Sequence, residues 1–288
     1  MKKDYQKRLP TVFEPNQRIK LGWIKTWITM FRDIIVNREL IYQLWRRDFL
    51  MMYKKSFFGM GWLILAPVMG IISWVFMNAT GVLTPGDVGV PYPAFILLST
   101  TIWGLFMNLY NGAAQTLQIA QGFITQVNFP HHVLLVKQAL QQLATFVITF
   151  TISIILLVIL KVHISWMTLL IPLFILPLFF IAAAIGLFVS IITIVTPDLQ
   201  RAFSFVMGLL MFITPVIYSS NVSNPLLQVV IKWNPLTYLI GGVREAIFFG
   251  RIEHFERYLI ASFLSLGLFL IFWRVFYVSE EKVIEKMI

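Results

Sequence analysis

The sequence predicts an all-α integral membrane protein with six transmembrane helices, an N-terminal amphipathic interface helix and a re-entrant outer helix pair. Its 288 residues are 58% hydrophobic and 12% charged, with a mean hydropathy of +0.80. That is more apolar side chain than one water-soluble core buries. Residues 59–79 and 140–160 contain no Asp, Glu, Lys or Arg, and each is as long as the roughly 20 residues that a bilayer-crossing helix needs.

Residues 1–57 are predicted to form a cytoplasmic tail followed by amphipathic helices. Apolar side chains recur with helical spacing along one stripe, which contains Ile24, Trp27, Ile28, Phe31, Ile34 and Ile35. A second stretch pairs Trp45 and Phe49 with Arg46, Arg47 and Lys54 on its other side, a pattern typical of a helix lying at a membrane surface. A soluble helix packed on a partner protein is the alternative. Thirteen of the 23 Lys and Arg precede the first span, which favours membrane lipids over nucleic acid as the partner of the +10 charge.

The six predicted spans make up a transmembrane domain over residues 58–288. They lie near residues 58–79, 94–115, 139–160, 168–195, 202–219 and 258–278. Lys and Arg are concentrated in the N-terminal tail, the alternate loops 116–138 and 196–201, and the C-terminal end, which together hold 18 of the 23. The positive-inside rule therefore predicts that both termini are cytoplasmic.

The fourth span contains small residues at a spacing of four, Ala182, Gly186 and Ser190. Small residues let another membrane helix approach closely, so this span is expected to pack inside the helix bundle.

The outer loop at about 220–257 is apolar in two pieces, 226–233 and 236–249, each too short to cross a bilayer. Asn234 and Pro235 have the N-cap and N1 chemistry that starts a helix, and Gly241 with Gly242 is expected to loosen it. These features predict a re-entrant pair of short helices. Arg244 and Glu245 lie within the second helix, where ionisable groups are costly unless paired or facing water, so they are candidate functional residues.

Several kinds of chemistry are missing from the sequence. The predicted spans contain no mid-membrane Asp, Glu or His to carry a coupling ion, and there is no G-x-x-x-x-G-K-[ST] phosphate loop. Cysteine is absent, and the adjacent His131 and His132 point in different directions, so no metal site or catalytic residue is predicted. We expect no cofactor in this chain and an energy source in a second polypeptide.

Aromatic residues are frequent in and beside the spans. Most such residues face lipid or form interfacial belts, but some are candidates for lining a pore in which flat rings stack against sugars. The candidates are Trp62, Trp74, Phe106, Tyr110, Phe205, Phe212 and Tyr218.

Six sequence elements, in this order, resemble the type-2 ABC transporter permeases that export lipid-linked polysaccharides such as O-antigen, capsule and teichoic acid. The elements are Arg47-Asp48, Tyr53-Lys54-Lys55-Ser56 with Gly59, Trp62 and Pro67, Gly89-Val90-Pro91-Tyr92-Pro93-Ala94-Phe95, Phe129-Pro130, Thr214-Pro215-Val216-Ile217-Tyr218, and Asn234-Pro235-Leu236. The third element is the most specific to polysaccharide exporters.

The resemblance implies a homodimer in the bacterial cytoplasmic (inner) membrane, with two copies of an ABC ATPase subunit that binds ATP and Mg. A coupling helix at about 118–133 is then expected to dock into the ATPase. Its candidate residues are Gln118, Gln121, Phe123, Asn128, Phe129, Pro130 and His131. The N-terminal amphipathic helix is expected to gate the cytosolic entrance, with candidates Trp45, Arg46, Arg47, Asp48, Tyr53 and Lys54.

Three alternatives remain open at this stage. A drug or small-lipid exporter of the same superfamily has the same helix count and topology. A membrane-embedded glycan transferase needs a catalytic acid at the membrane surface, for which Asp48, Asp198 and Glu245 are the candidates. A non-transporting scaffold leaves the patterned outer hairpin unexplained.

Overall fold

The structure, a computed structural model, describes residues 22–54, 57–119, 132–193, 196 and 198–285. The regular secondary structure in this part of the chain is helical, and it contains ten long or medium α-helices joined by turns and loops. In chain order, α1 to α10 are Trp23–Val36, Arg38–Lys54, Trp62–Ala79, Tyr92–Ala114, His132–Ile159, Ile171–Thr193, Asp198–Ile213, Pro225–Trp233, Pro235–Phe249 and Phe255–Glu285. Short 3-10 helices at Gly59–Gly61 and Trp166–Leu170 precede α3 and α6.

Four helical stretches in the described residues are long and apolar enough to cross a membrane: Tyr92–Ala114, His132–Ile159, Trp166–Thr193 and Phe255–Ser279. The first and fifth predicted spans form the shorter helices α3 and α7, of 18 and 16 residues. Helix α7 begins earlier than predicted and ends at Ile213 rather than 219. Pro215 explains this end, because a proline disfavours helical backbone in the residue before it.

Helices α4 and α6 form the centre of the bundle, and most of their residues are buried. Helix α6 lies between α4 and α10, while α5 and α3 cover α4. Helix α9 packs against α4, α6 and α10 at one end. We call this the hairpin end, because it carries α8 and α9; the opposite end, which carries α1 and α2, is the α1–α2 end.

The predicted close packing of the small residues in α6 is confirmed. Ala182, Gly186 and Ser190 are buried. A Cβ atom on Gly186 would lie 2.6 Å from both the Cβ of Ala113 and the carbonyl oxygen of Tyr110. The backbones of α4 and α6 therefore touch at a point where only glycine fits.

We expect Gly186→Ala to destabilise the protein, because two helix backbones must separate to admit the methyl group. Overpacking of this kind costs roughly 1–3 kcal/mol, against a gain of up to about 1 kcal/mol in helix propensity. Gly267→Ala in α10 is the matched control, since nothing lies within 4 Å of its added Cβ. Apparent melting temperatures in one detergent should fall for Gly186→Ala and hold or rise for Gly267→Ala; equal shifts would contradict the packing.

The apolar stripe predicted for α1 is largely exposed. Ile24 is 76% exposed and Ile28 62%, whereas Thr26 and Met30, on another side of the helix, are fully buried. Trp27 and Phe31 lie at the edge and contact the ring of Trp273 in α10, at 5.4 and 6.1 Å between centroids. Helix α1 is therefore fixed to the bundle along one flank while its apolar stripe faces outward, as in a helix whose stripe enters lipid.

Candidate functional site

The two short helices expected in the outer loop are present as α8 and α9. Asn234, between them, accepts a hydrogen bond at Oδ1 from the backbone N–H of Leu236 (3.0 Å), so it is the N-cap of α9. Its Nδ2 donates to the hydroxyl of Thr214 (2.9 Å), just beyond the end of α7. Asn234 therefore starts α9 and fixes its position at the same time.

Segment 214–218 joins three sequence elements that are far apart in the chain. The hydroxyl of Tyr92 donates to the carbonyl oxygen of Ile217 (3.1 Å), and Thr214 receives the hydrogen bond from Asn234. The backbone N–H of Ser219 donates to the carbonyl oxygen of Pro85 (2.7 Å). The starts of α4 and α9 are therefore both attached to the chain that leaves α7.

Arg244 is the buried centre of this arrangement, with only 8% of its surface exposed. Its Nη1 donates to the hydroxyl of Ser99 in α4 and to the carbonyl oxygen of Pro215, each at 3.1 Å. The guanidinium also lies over the ring of Phe95, 4.2 Å from its centroid, a cation–π contact. One side chain thus links α9, α4 and segment 214–218, and the charge is compensated by polar and aromatic groups, as burial requires.

Glu245, like Arg244, lines a cavity of about 490 Å³ at the hairpin end, which we call the hairpin cavity. Its Oε2 accepts a hydrogen bond from the backbone N–H of Glu253 (2.8 Å). A second cavity of about 300 Å³ shares Glu245, Arg244 and Ser219 with the first and extends toward Asp87. Both residues thus line this polar space, and Arg244 in addition joins three parts of the fold.

A second cluster, of ionisable side chains, lies at the α1–α2 end, around the first two turns of α5. Lys137, whose side chain is 7% exposed, places Nζ 2.5 Å from Oδ2 of Asp48 in α2. His132 is fully buried, with Nε2 3.6 Å from Oδ2 of Asp33 in α1 and its ring against Tyr277 in α10. Both N-terminal helices are thus tied by side chains to the start of α5.

The pair formed by Asp48 of α2 and Lys137 of α5 is stabilised by charge. Burial alone would raise the pKa of Asp48, but hydrogen bonds from Lys137 and Arg47, together with their positive charges, outweigh it and hold the pKa below its ordinary 3.8. The contribution of this pair to stability is therefore present above about pH 4 and is lost as the pH falls through the lower, folded-state pKa.

The structure separates the proposed gate residues into two groups. Asp48 joins the bundle, whereas Arg46, Arg47 and Lys54 are exposed, as expected for the polar side of a surface helix. Trp45 is half-buried and stacks on Phe49, 5.7 Å between centroids. The side chain of Tyr53 is not described.

Of the proposed coupling residues, only Gln118 belongs to the described part of the chain. Its side-chain amide donates to Oε1 of Gln200 in α7, so the chain leaving α4 touches the first turn of α7. The other candidates, Gln121, Phe123, Asn128, Phe129, Pro130 and His131, lie outside the described residues.

The aromatic candidates also divide. Phe106 and Tyr110 are fully buried between helices of this one chain, which corrects the expectation for them: in this structure they pack the core and reach no surface. Phe205 and Phe212 in α7 and Trp62, the first residue of α3, are exposed. Trp74 and Tyr218 are half-buried, and the ring of Trp74 lies 6.5 Å from that of Phe212, so an aromatic contact joins α3 to α7. Pore lining is kept as a proposal for these five.

Two residues of these clusters were missed in the sequence analysis. Lys137 was assigned to a loop, although it lies in α5, and Ser99 carried no signal among the apolar residues of α4. The clue for Lys137 was available, since a single cation beside a long apolar run requires a partner, and Asp48 is one of the few acids before the first span.

Two comparisons with known proteins bear on this arrangement. The family model described as ABC-2 type transporter matches residues 39–248, which is most of the chain and includes Asp48, Lys137, Arg244 and Glu245. Among curated proteins, the O-antigen export system permease protein RfbA of Myxococcus xanthus is 24% identical over 243 residues, covering 84% of this chain and 92% of that protein.

Proposed function

The chain belongs to the ABC-2 type transporter family, and we propose that it is the membrane-spanning subunit of an ATP-driven exporter of lipid-linked polysaccharide. The observation that carries the substrate class is the likeness, over 92% of its length, to a permease named for O-antigen export. The meeting of the Tyr92, Thr214 and Asn234 elements at the hairpin end adds to it, because these are elements of the resemblance to polysaccharide exporters.

In the proposed assembly, two copies of this chain form the pore and two copies of an ATPase subunit bind ATP and Mg. Helix α3 and helix α7 cross the membrane together with the four longer helices, and both termini lie in the cytoplasm. The hairpin of α8 and α9 re-enters from the outer face. The exposed aromatic surface of α3 and α7 is the proposed wall of the pore, since aromatic faces are suited to sliding sugar rings.

The coupling to ATP is proposed to run through residues 118–133 and the first turns of α5. Because Asp33 and Asp48 tie α1 and α2 to those turns, a movement of α5 carries the proposed gate helices with it. The apolar stripe of α1 would then lie at the inner membrane surface.

Deletion of the gene tests the proposal. Surface polysaccharide should disappear, and lipid-linked glycan should accumulate inside the cell. The wild-type gene should restore export. It should not do so in cells whose partner ATPase has its phosphate-loop lysine replaced. Purified with that partner, the complex should hydrolyse ATP. Surface glycan that is unchanged on deletion, combined with altered efflux of a drug, would favour the small-molecule exporter instead.

A further inference from the structure

We propose that the hairpin cavity is a binding site for an uncharged sugar unit; the identity of this ligand as part of the transported glycan rests on the proposed function. The cavity of about 490 Å³ lies within the ~300–1,000 Å³ range typical of small-molecule sites. It opens between α8, α9, the start of α10 and segment 215–221, away from the pore-wall aromatics of α3 and α7.

The cavity has a buried floor and a polar rim, as small-molecule sites do. Gly241, Thr237 and Arg244 belong to the floor and are buried. The hydroxyl of Thr237 has no hydrogen-bond partner among the described residues. The rim carries the exposed side chains of Gln228 and Asn221, each of which offers both a donor and an acceptor.

The charges of the lining favour a neutral, hydroxyl-rich ligand. Three cations, Lys232, Arg244 and Arg257, are mixed with two carboxylates, Glu245 and Glu253. Arg244 already donates to Ser99 and to the carbonyl oxygen of Pro215, so two cations and two carboxylates remain to meet a ligand. These charges balance, and net charge therefore favours neither a phosphate or uronate nor a cationic ligand. A sugar hydroxyl is both donor and acceptor, so it can use groups of either kind without a net electrostatic cost.

The lining is held in place before any ligand arrives. The hydroxyl of Tyr238 donates to the carbonyl oxygen of Lys232 (2.8 Å) and accepts from Nη1 of Arg257 (2.7 Å). Glu245 is fixed by the backbone N–H of Glu253. Fixed polar groups around a half-buried aromatic ring reduce the entropy lost on binding.

A glycine on the cavity floor provides the test. Among the described residues, a Cβ on Gly241 would meet Oε1 of Glu245 alone, at 3.7 Å, an ordinary contact. Gly241→Leu therefore adds a side chain to the cavity floor from a position where its Cβ makes no close contact. Gly267→Leu is the matched control, because Gly267 lies in α10, outside the cavity lining, and nothing surrounds its added Cβ.

Binding is measured by saturation-transfer NMR on the full chain in nanodiscs. The probes are methyl β-D-glucopyranoside, methyl α-L-rhamnopyranoside and N-acetylglucosamine, with glucuronate and inorganic phosphate as charged comparisons. We expect at least one neutral sugar to bind saturably with a Kd on the order of 1 mM. Gly241→Leu should weaken it by about tenfold or more, and Gly267→Leu should leave it unchanged.

The proposal is overturned if none of the neutral sugars binds saturably, if Gly241→Leu binds as the wild type does, or if only the charged probes bind. Should Gly241→Leu fail to fold, the exposed rim variants Gln228→Ala and Glu253→Gln replace it, with weaker binding expected at an unchanged melting temperature. If the chain binds sugar but deletion of its gene leaves surface glycan intact, the binding site stands and the proposed function is wrong. If deletion abolishes surface glycan but no sugar binds, the proposed function stands and the binding site is wrong.

Discussion

The Asp48→Asn variant is expected to melt roughly 4–8 °C below the wild type, since breaking a charge pair that is buried on one side costs about 2 kcal/mol in a chain of this size. The reason is Lys137, whose ammonium group is almost wholly buried and would lose its counter-ion. Asp48 itself is 35% exposed, and this access to water keeps the cost below that of a fully buried pair.

Removal of the other partner of the pair should lower the melting temperature less. Lys137→Met removes the buried charge and leaves a partly exposed carboxylate that still has Nε of Arg47 at 2.9 Å. The double variant Asp48→Asn/Lys137→Met should resemble Lys137→Met, so the two changes are expected to be strongly non-additive.

Arg46→Gln is the matched control for these variants, because Arg46 is an exposed cation of the same helix and surface changes are usually within about 0.5 kcal/mol. Apparent melting temperatures of purified protein give the order. A loss for Asp48→Asn that is no larger than that for Arg46→Gln would show that α2 is not fixed through this pair.

A functional consequence follows from the position of the pair. Lys137 lies in the second turn of α5, directly after the segment proposed to dock on the ATPase. If α2 moves with α5 through Asp48, a complex carrying Asp48→Asn should retain ATP hydrolysis and export less glycan per ATP. Equal losses of hydrolysis and export would instead indicate a general loss of folded complex.

Local chemistry explains why much of the fold was predictable. Long apolar runs, the N-cap pair Asn234-Pro235 and the small residues around Gly186 act on their immediate neighbours, so α4, α5, α6, α9 and α10 were expected near their observed places. Segment ends were less certain because proline and loop contacts decide them, as at Ile213.

Long-range partners were not predictable in the same way. Arg244 was singled out because a buried charge needs compensation, but its partner Ser99 lies 145 positions away in the chain. Gly242 was expected to loosen α9; instead, a Cβ there would lie 2.7 Å from the ring of Tyr258, and the helix is continuous. This glycine permits close packing on α10.

Uniform hydrophobicity hides which face of a helix is buried. Helix α4 is apolar on nearly all sides, so no periodic stripe distinguished Phe106 and Tyr110, which are buried, from side chains that reach a surface. In α1 the stripe was clear, yet it is the exposed face, because in a membrane protein an apolar stripe has lipid as well as protein available to it.

Arg244→Met is expected to be the most damaging single change at the hairpin end, lowering the melting temperature by on the order of 10 °C. Methionine fills much of the volume and removes the cost of burying a charge, but it leaves the carbonyl oxygen of Pro215 without this donor and ends the contact with Phe95. Arg244→Lys should restore little, because one ammonium group cannot reproduce the planar guanidinium that both stacks and donates. Arg251→Met is the exposed control in the same region.

The loss should also be local, which distinguishes a joint between helices from a general contribution to stability. Since the chain contains no cysteine, Ala246→Cys places a single thiol at a fully buried position of α9, half a turn from Arg244. Maleimide should label it slowly in the otherwise wild-type chain and much faster with Arg244→Met, while a cysteine at the buried Ala183 in α6 stays protected in both. Equal protection of Ala246→Cys in both backgrounds would mean that α9 holds its place without the guanidinium, and that packing of α9 against α4, α6 and α10 is sufficient.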